Sequence, residues 1–288
     1  MTENIARHDM PGGAEVDGFA ERLGGRLVKE IDGLEESAES IGSTFGTAVL
    51  LLHARCLADP TAAAAETREA LFTATQLGAA LFALTGTDEG TVECAIVGKV
   101  RVLPAVGASP AADAGNWLTA FWLAVVCRDG ERTERLCQVP LERLRSAEGA
   151  AYDAFIYHWV DVLQTFRLGR PGLVDKLIAT IEASDPAKVE VASQDLLQGV
   201  LYPPINLFYL LARKDMDNFG PALADALKLH RAYWTMVDDR RDDINSTFAL
   251  APLAIACLAF DAGIPVDVES DYLPEFLLQP ELPVDLAD

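Results

Sequence analysis

The chain has 288 residues, half of them hydrophobic, which is enough to bury the core of one large domain or two modest ones. Its 44 acidic and 23 basic residues give a net charge of −21. This charge argues against nucleic acid or an anionic membrane as the partner, because both are bound through lysine and arginine. A basic protein partner remains compatible with the charge, as does an acidic surface that only keeps the protein soluble.

The N-terminal third is predicted to be helical after a short arm. Residues 1–14 have a polar start and a Pro-Gly-Gly interruption, so they are predicted to be a flexible N-terminal arm. Apolar residues then recur at helical spacing through residues 15–90. Three helices are predicted there, at Glu15–Glu36, at about Ile41–Cys56 and from Pro60 to about Leu84.

Residues 91–104 change to a two-residue period, which indicates strands. Apolar residues alternate with other residues from Val92 to Ile96, and the pattern resumes after a turn at Gly98-Lys99. One small β-hairpin is therefore predicted. Residues 105–115, rich in Gly, Ala and Pro, are predicted to link it to the second half.

Residues 115–288 are predicted to be stacked helical hairpins. Apolar helices recur at steps of 40, 47 and 46 residues, centred near Trp122, Val162, Tyr209 and Ile255. Amphipathic partner helices are predicted at Leu173–Ile181 and Phe219–Trp234. Since one such unit cannot bury its apolar face alone, the predicted fold is mostly α: an irregular, repeat-like stack of helical hairpins with one small β-hairpin insertion. Residues 15–288 are predicted to be a single helical domain.

Few residues are arranged for catalysis. The segment Asp238-Asp239-Arg240-Arg241-Asp242 matches the DDxxD pattern by which some all-α isoprenoid synthases hold magnesium diphosphate. Such sites need a second acidic motif on a facing helix, and the earlier helices offer none. The four histidines lack metal-ligand spacing, and His158, between Tyr157 and Trp159, is predicted to pack in the core. No catalytic residue, metal or cofactor is predicted, and the protein is not expected to be an enzyme.

Acidic residues concentrate toward the C-terminus. The 51 residues from Asp238 to Asp288 hold twelve Asp and Glu against two Arg, and so carry ten of the 21 net negative charges. Such a surface would steer a partner with a basic surface. The candidate partner-binding residues are Asp238, Asp239, Asp242, Asp243, Glu269, Asp271 and Tyr272. In the alternative interpretation, charges on the inner face of the array serve the scaffold.

Cysteine usage and the N-terminus favour a reduced, cytoplasmic protein. The five cysteines form no CxxC pair, and the chain opens with polar residues rather than a signal peptide. No apolar run is expected to be long enough to span a membrane. The clustered aromatic residues are predicted to pack in the core, with exposed interface anchors as the alternative.

Several segments form a recognisable set of motifs, among them Asn116-Trp117-Leu118-Thr119. The set comprises residues 91–94, 98–101, 103–104, 114–121, 157–161, 201–205, 230–234, 252–259 and 268–274. Together these segments resemble the immunity protein 49 family of bacterial polymorphic toxin systems. The resemblance implies a mostly helical, non-enzymatic protein that is encoded beside a toxin and neutralises it by binding. It assigns no catalytic residues and does not identify the toxin.

The predicted function is therefore that of a cytoplasmic immunity protein that occludes the active surface of a cognate protein toxin, with acidic steering. A helical adaptor or regulatory scaffold for another protein is the alternative, and a neighbouring toxin gene would distinguish the two. A magnesium-dependent isoprenoid enzyme is a third hypothesis, which predicts diphosphate turnover and a second acidic helix facing Asp238.

Overall fold

The computed structural model describes residues 3–278. The extreme ends of the predicted arm and of the acidic C-terminal stretch therefore lie outside the described residues. The N-terminal part comprises strand β1 (Glu3–Asn4) and helices α1 (Ala14–Gly33), α2 (Ile41–Ala58) and α3 (Ala65–Thr85). Each of these three helices packs on the next.

The third helix begins at Ala65, later than the predicted Pro60. Asp59 accounts for the difference, because its carboxylate accepts hydrogen bonds from the backbone N–H groups of Ala63 (3.3 Å) and Ala64 (2.9 Å). These bonds organise a turn ahead of the helix, so the chain enters the helix only at Ala65.

The predicted β-hairpin is formed by β2 (Thr91–Ile96) and β3 (Lys99–Pro104), which pair antiparallel. The turn lies at Val97-Gly98, one residue before the predicted position. Both turn residues have positive φ, 51° and 64°, as the two-residue turn that matches strand twist requires. The buried face of the hairpin includes Cys94, Ile96, Arg101 and Leu103.

The remaining elements follow in chain order. The central helices are α4 (Ala114–Val126), α5 (Gly130–Leu136), α6 (Leu141–Arg145), α7 (Ala154–Arg167) and α8 (Leu173–Ala183). Next come α9 (Gln194–Leu196), a π-helical turn (Leu197–Leu201), α10 (Tyr202–Ala212), α11 (Met216–Thr235) and α12 (Asp238–Arg241). A 3₁₀ helix (Ile244–Ser246), α13 (Leu250–Asp261), β4 (Val268–Glu269) and α14 (Glu275–Leu278) complete the described chain. The predicted mostly α fold with a small hairpin is confirmed.

Aromatic residues from three helices form a continuous buried row, as core packing predicts. Trp117 stacks on Phe121 in α4, with ring centroids 5.0 Å apart. The row continues from Trp122 to Trp159 of α7 (6.1 Å) and on to Phe208 of α10 (5.3 Å). Helix α4 also packs against α3 and α13, so it lies at the centre of the molecule.

The N-terminal segment is not the flexible arm that the sequence predicts. Strand β1 pairs in parallel with β4, and the backbone N–H of Ile5 donates to the Glu269 carbonyl (2.9 Å). The Arg7 guanidinium donates to the carbonyls of Cys56 (3.2 Å) and Thr247 (3.4 Å). The polar composition of this segment predicts flexibility. Its backbone partners lie 49 to 265 positions away along the chain, so a local sequence pattern does not reveal them.

Two helical stretches are long and apolar enough, by length and composition alone, to cross a membrane: Ala38–Ala58 and Ile244–Asp261. The expectation that no apolar run has this length is therefore wrong. More than half of each stretch, 56% and 61%, is buried inside the protein. Core helices satisfy the same criterion, so this finding is weak support for a membrane location.

Candidate partner-binding face

Helix α12 and the residue that follows it place three of the predicted acidic residues on the surface. Asp238, Asp239 and Asp242 are exposed. The helix is held by Arg240, whose guanidinium lies over the Tyr233 ring (4.3 Å) and pairs with Asp195. Hydrogen bonds from Ser193 and Arg240 lower the pKa of Asp195 to about 2, so this pair is charged at neutral pH. The exposed acids are thus carried on an anchored element.

His8 joins this helix to the second acidic segment. The Tyr272 hydroxyl accepts a hydrogen bond from the His8 backbone N–H (3.2 Å) and donates its own proton to His8 Nδ1 (2.7 Å). His8 Nε2 then carries the ring proton and donates it to the Arg241 carbonyl (2.9 Å). Residues 238–243 and 269–272 are therefore brought together on one side of the molecule.

Two of the predicted partner-binding residues belong to the scaffold. Tyr272 is 0% exposed, so its assignment as a contact residue is corrected: besides bonding His8, its ring packs edge-on against His230 (4.9 Å). Asp243 is half-buried and accepts hydrogen bonds from the backbone N–H (2.9 Å) and side chain (2.8 Å) of Asn245. It caps the 3₁₀ helix.

The exposed acidic face consists of Asp238, Asp239, Asp242, Glu269 and Asp271. We refer to these five residues as the acidic face. The sequence pattern does not distinguish these exposed carboxylates from the capping carboxylate of Asp243 or the buried phenol of Tyr272.

The DDxxD segment does not form a metal site by the geometry that its pattern suggests. Helix α12 ends at Arg241, so Asp242 lies beyond the helix rather than on a shared face with Asp238. Among residues 3–278, no group of three or more His, Cys, Asp and Glu side chains is placed to hold a metal ion.

Three of the four histidines are buried close to the acidic face, a cluster that sequence spacing did not reveal. His53 stacks on Phe248 (4.4 Å), and His230 Nε2 donates to the Ser246 carbonyl (3.1 Å). Burial lowers the pKa of the His53 and His230 rings to about 4, with a further lowering by a neighbouring histidine. Both rings are therefore neutral at pH 7. His158, predicted to pack in the core, is instead exposed on α7.

A concave region lies between α3, the hairpin and α5. It is a groove of about 800 Å³, and its lining includes Phe72, Ala79, Glu93, Ala95, Arg132 and Arg135. Two cysteines also line it. Burial raises the pKa of Cys94, and raises that of Cys127 to about 12, so both thiols stay protonated and are poor nucleophiles. The sequence predicted the hairpin but not the groove beside it.

A comparison with protein families identifies the chain's relatives. The model of the family described as immunity protein 49 matches residues 59–277. The chain belongs to the immunity protein 49 family. No curated protein and no solved structure matches it.

The match to the immunity protein 49 family covers both surface features. It extends from the Asp59 turn to α14, and therefore includes the groove and the acidic face. Residues 3–58, which contain β1, α1 and α2, precede it. The recognition of an immunity protein 49 sequence from its motifs is confirmed.

Proposed function

We propose that this protein is a non-enzymatic, cytoplasmic immunity protein that binds a cognate protein toxin and covers its active surface. The family match over residues 59–277 is the observation that supports this proposal. The five cysteines are free, as is usual for proteins in a reducing compartment.

The acidic face supports a specific mode of association. It presents five exposed carboxylates on anchored elements in a chain of net charge −21. Such a field accelerates encounter with a basic surface and suppresses association with acidic ones. The acidic face thus steers the toxin into a docked complex whose buried contacts determine its lifetime.

The test uses the toxin encoded beside this protein and a matched pair of charge-reversed variants. Reversal of Asp238, Asp239 and Asp242 to Lys should lower the association rate constant on the order of tenfold, because steering of this kind changes rates by about 10 to 10³. The control reverses three exposed acids outside the family match: Glu21, Glu36 and Glu39.

The outcomes distinguish the immunity function itself from the specific role of the acidic face. If co-expression with the toxin gives no complex and no growth rescue, the immunity function is wrong, and a helical adaptor for another protein becomes the better hypothesis. If wild type binds and the two triple variants associate equally slowly or equally fast, the acidic face has no specific role.

A further inference from the structure

The hairpin leaves one strand edge free beside the groove. Its two-residue turn makes Ile96 and Lys99 a hydrogen-bonded pair, and the pairing then alternates along the ladder to Cys94↔Arg101. The backbone N–H and C=O groups of Glu93 and Ala95 consequently point away from β3. Within residues 3–278 this sheet has two strands only, so no further strand pairs with that edge.

The groove runs along this free edge. Glu93 and Ala95 line one side, and α5 lines the other. On the floor, Ala79 and Ala83 of α3 are half-buried and have small side chains, which leaves room for a backbone to approach. A free strand edge facing a helix across an apolar floor is the geometry with which proteins bind extended peptides by strand addition.

The exposed face of the hairpin is also apolar. Val100 is 63% exposed and Val102 56% exposed, and Val100 lines the groove. Side chains of an added strand would alternate between this outer face and the α3 floor, because successive residues of a strand point to opposite sides.

The charges of the groove indicate what kind of strand fits. Its lining has three arginines, Arg128, Arg132 and Arg135, and three acids, Glu93, Asp129 and Glu131. Arg132 pairs with Asp129, and Arg135 pairs with Glu131. The lining is thus neutral in a strongly acidic chain, and it complements an uncharged segment rather than a basic one.

We propose that the groove binds an extended, uncharged segment of the toxin, which pairs with β2 as a third strand. This inference rests on the proposed function, because it takes the toxin as the partner. The acidic face sets the rate of encounter, and strand pairing at β2 sets the lifetime of the complex.

The test removes one outward donor from β2. In Ala95→Pro the hydrogen bonds between β2 and β3 remain, because proline is tolerated where an edge N–H faces outward. We expect the dissociation rate of the toxin complex to rise at least about tenfold with an unchanged association rate. The matched control is Thr91→Pro, which removes an outward donor from the same strand outside the groove lining and should leave dissociation unchanged.

Hydrogen exchange on the wild-type complex gives a second readout that does not depend on a variant folding. The amides of Glu93 and Ala95 should exchange more slowly when the toxin is bound, while those of Val100 and Val102 should not change. Ala79→Tyr, which fills the floor of the groove, should weaken binding to a similar extent as Ala95→Pro.

The remaining outcomes overturn the proposal. A toxin complex with unchanged dissociation in Ala95→Pro and no amide protection refutes the groove while leaving the immunity function intact. The described chain ends at Leu278, whose carbonyl accepts from the groove residue Arg128 (2.7 Å), so residues 279–288 are a competing occupant. Protection of Ala95 in the free protein that disappears when the chain is ended at Leu278 would assign the groove to them. Dimerisation abolished by Ala95→Pro would assign it to a second copy.

Discussion

The buried histidines make stability depend on pH in a defined window. His53 and His230 have pKa values lowered to about 4, chiefly by burial, against a usual value of about 6.5 in the unfolded chain. As pH falls from about 6.5 to about 4, the unfolded chain binds protons that the folded protein does not, so stability is lost across this interval. Over this interval each ring lowers the free energy of unfolding by on the order of 3 kcal/mol.

Urea unfolding between pH 7 and pH 4 measures this effect. His53→Leu should lose less free energy of unfolding over that interval than wild type, because the buried ring no longer has to stay neutral. The exposed control, His158→Gln, should follow the wild-type profile. Identical profiles for all three proteins would show that burial of His53 does not govern the acid response.

At the scale of single residues, the exposure of individual side chains is what the sequence predicts least well. The acidic residues around Tyr272 predict a surface position for it, yet the ring is buried and its partner His8 lies 264 positions away. The aromatic neighbours of His158 predict a buried position, yet this side chain is exposed on α7. Exposure depends on such long-range packing, which a local window does not contain.

At the scale of elements, the hairpin turn is the clearest case of local strain. Val97 has φ 51°, a left-handed conformation that is unfavourable for a β-branched residue. The turn was predicted one residue later because Gly98 marks a turn without fixing which of its two positions it occupies. The burial of alternate strand residues fixes the register.

Replacing Val97 should stabilise the hairpin. In Val97→Asn we expect the free energy of unfolding to increase by about 1 kcal/mol, because Asn adopts the left-handed conformation more easily and Asn-Gly suits this turn. The backbone N–H of residue 97 keeps its bond to Gln76 Oε1 (2.8 Å). Thermal and urea unfolding measure the change. The matched control, Val102→Asn within β3, should not stabilise, since its backbone is extended and Asn disfavours strands.

The proline pair lies at the start of α10. Pro203 and Pro204 are in the first turn of this helix, which begins at Tyr202 and directly follows the π-helical turn Leu197–Leu201. Proline removes an amide donor and crowds the carbonyl four residues earlier. A wider turn directly before the prolines accommodates both effects, and single-sequence patterns do not signal such turns.

At the scale of the whole molecule, the two ends of the chain stabilise each other. His8 bonds both Tyr272 and the Arg241 carbonyl, and Ile5 is buried against the same region. The family match begins only at residue 59, so His8 and Ile5 lie outside it while Tyr272 and Arg241, the partners of His8, lie within it. The apolar spacing predicts the helices between the two ends, but no sequence pattern indicates that β1 pairs with β4.

Loss of the hydrogen bonds that His8 makes with the C-terminal part should lower stability, whereas a change at an exposed neighbour should not. His8→Ala should lower the free energy of unfolding by about 2–3 kcal/mol, because the buried Tyr272 hydroxyl and the part-buried Arg241 carbonyl each lose a hydrogen-bond partner. The adjacent exposed residue provides the control, and Asp9→Ala should stay within about 0.5 kcal/mol of wild type. Equal unfolding midpoints for both variants would contradict the role given to His8.

The net charge of −21 and the neutral groove together predict that association with the toxin and dissociation of the complex depend on different parts of the protein. Raising ionic strength from 0.05 to 0.5 M should slow association with the toxin, because salt screens charges separated by more than a Debye length, about 10 Å at 0.1 M. Reversal of Asp238, Asp239 and Asp242 should flatten this salt dependence. Ala95→Pro should keep the wild-type slope while its complex dissociates faster. Stopped-flow mixing at a series of salt concentrations measures both constants. If the two variants shared one salt slope, the acidic face and the groove could not have distinct roles in binding.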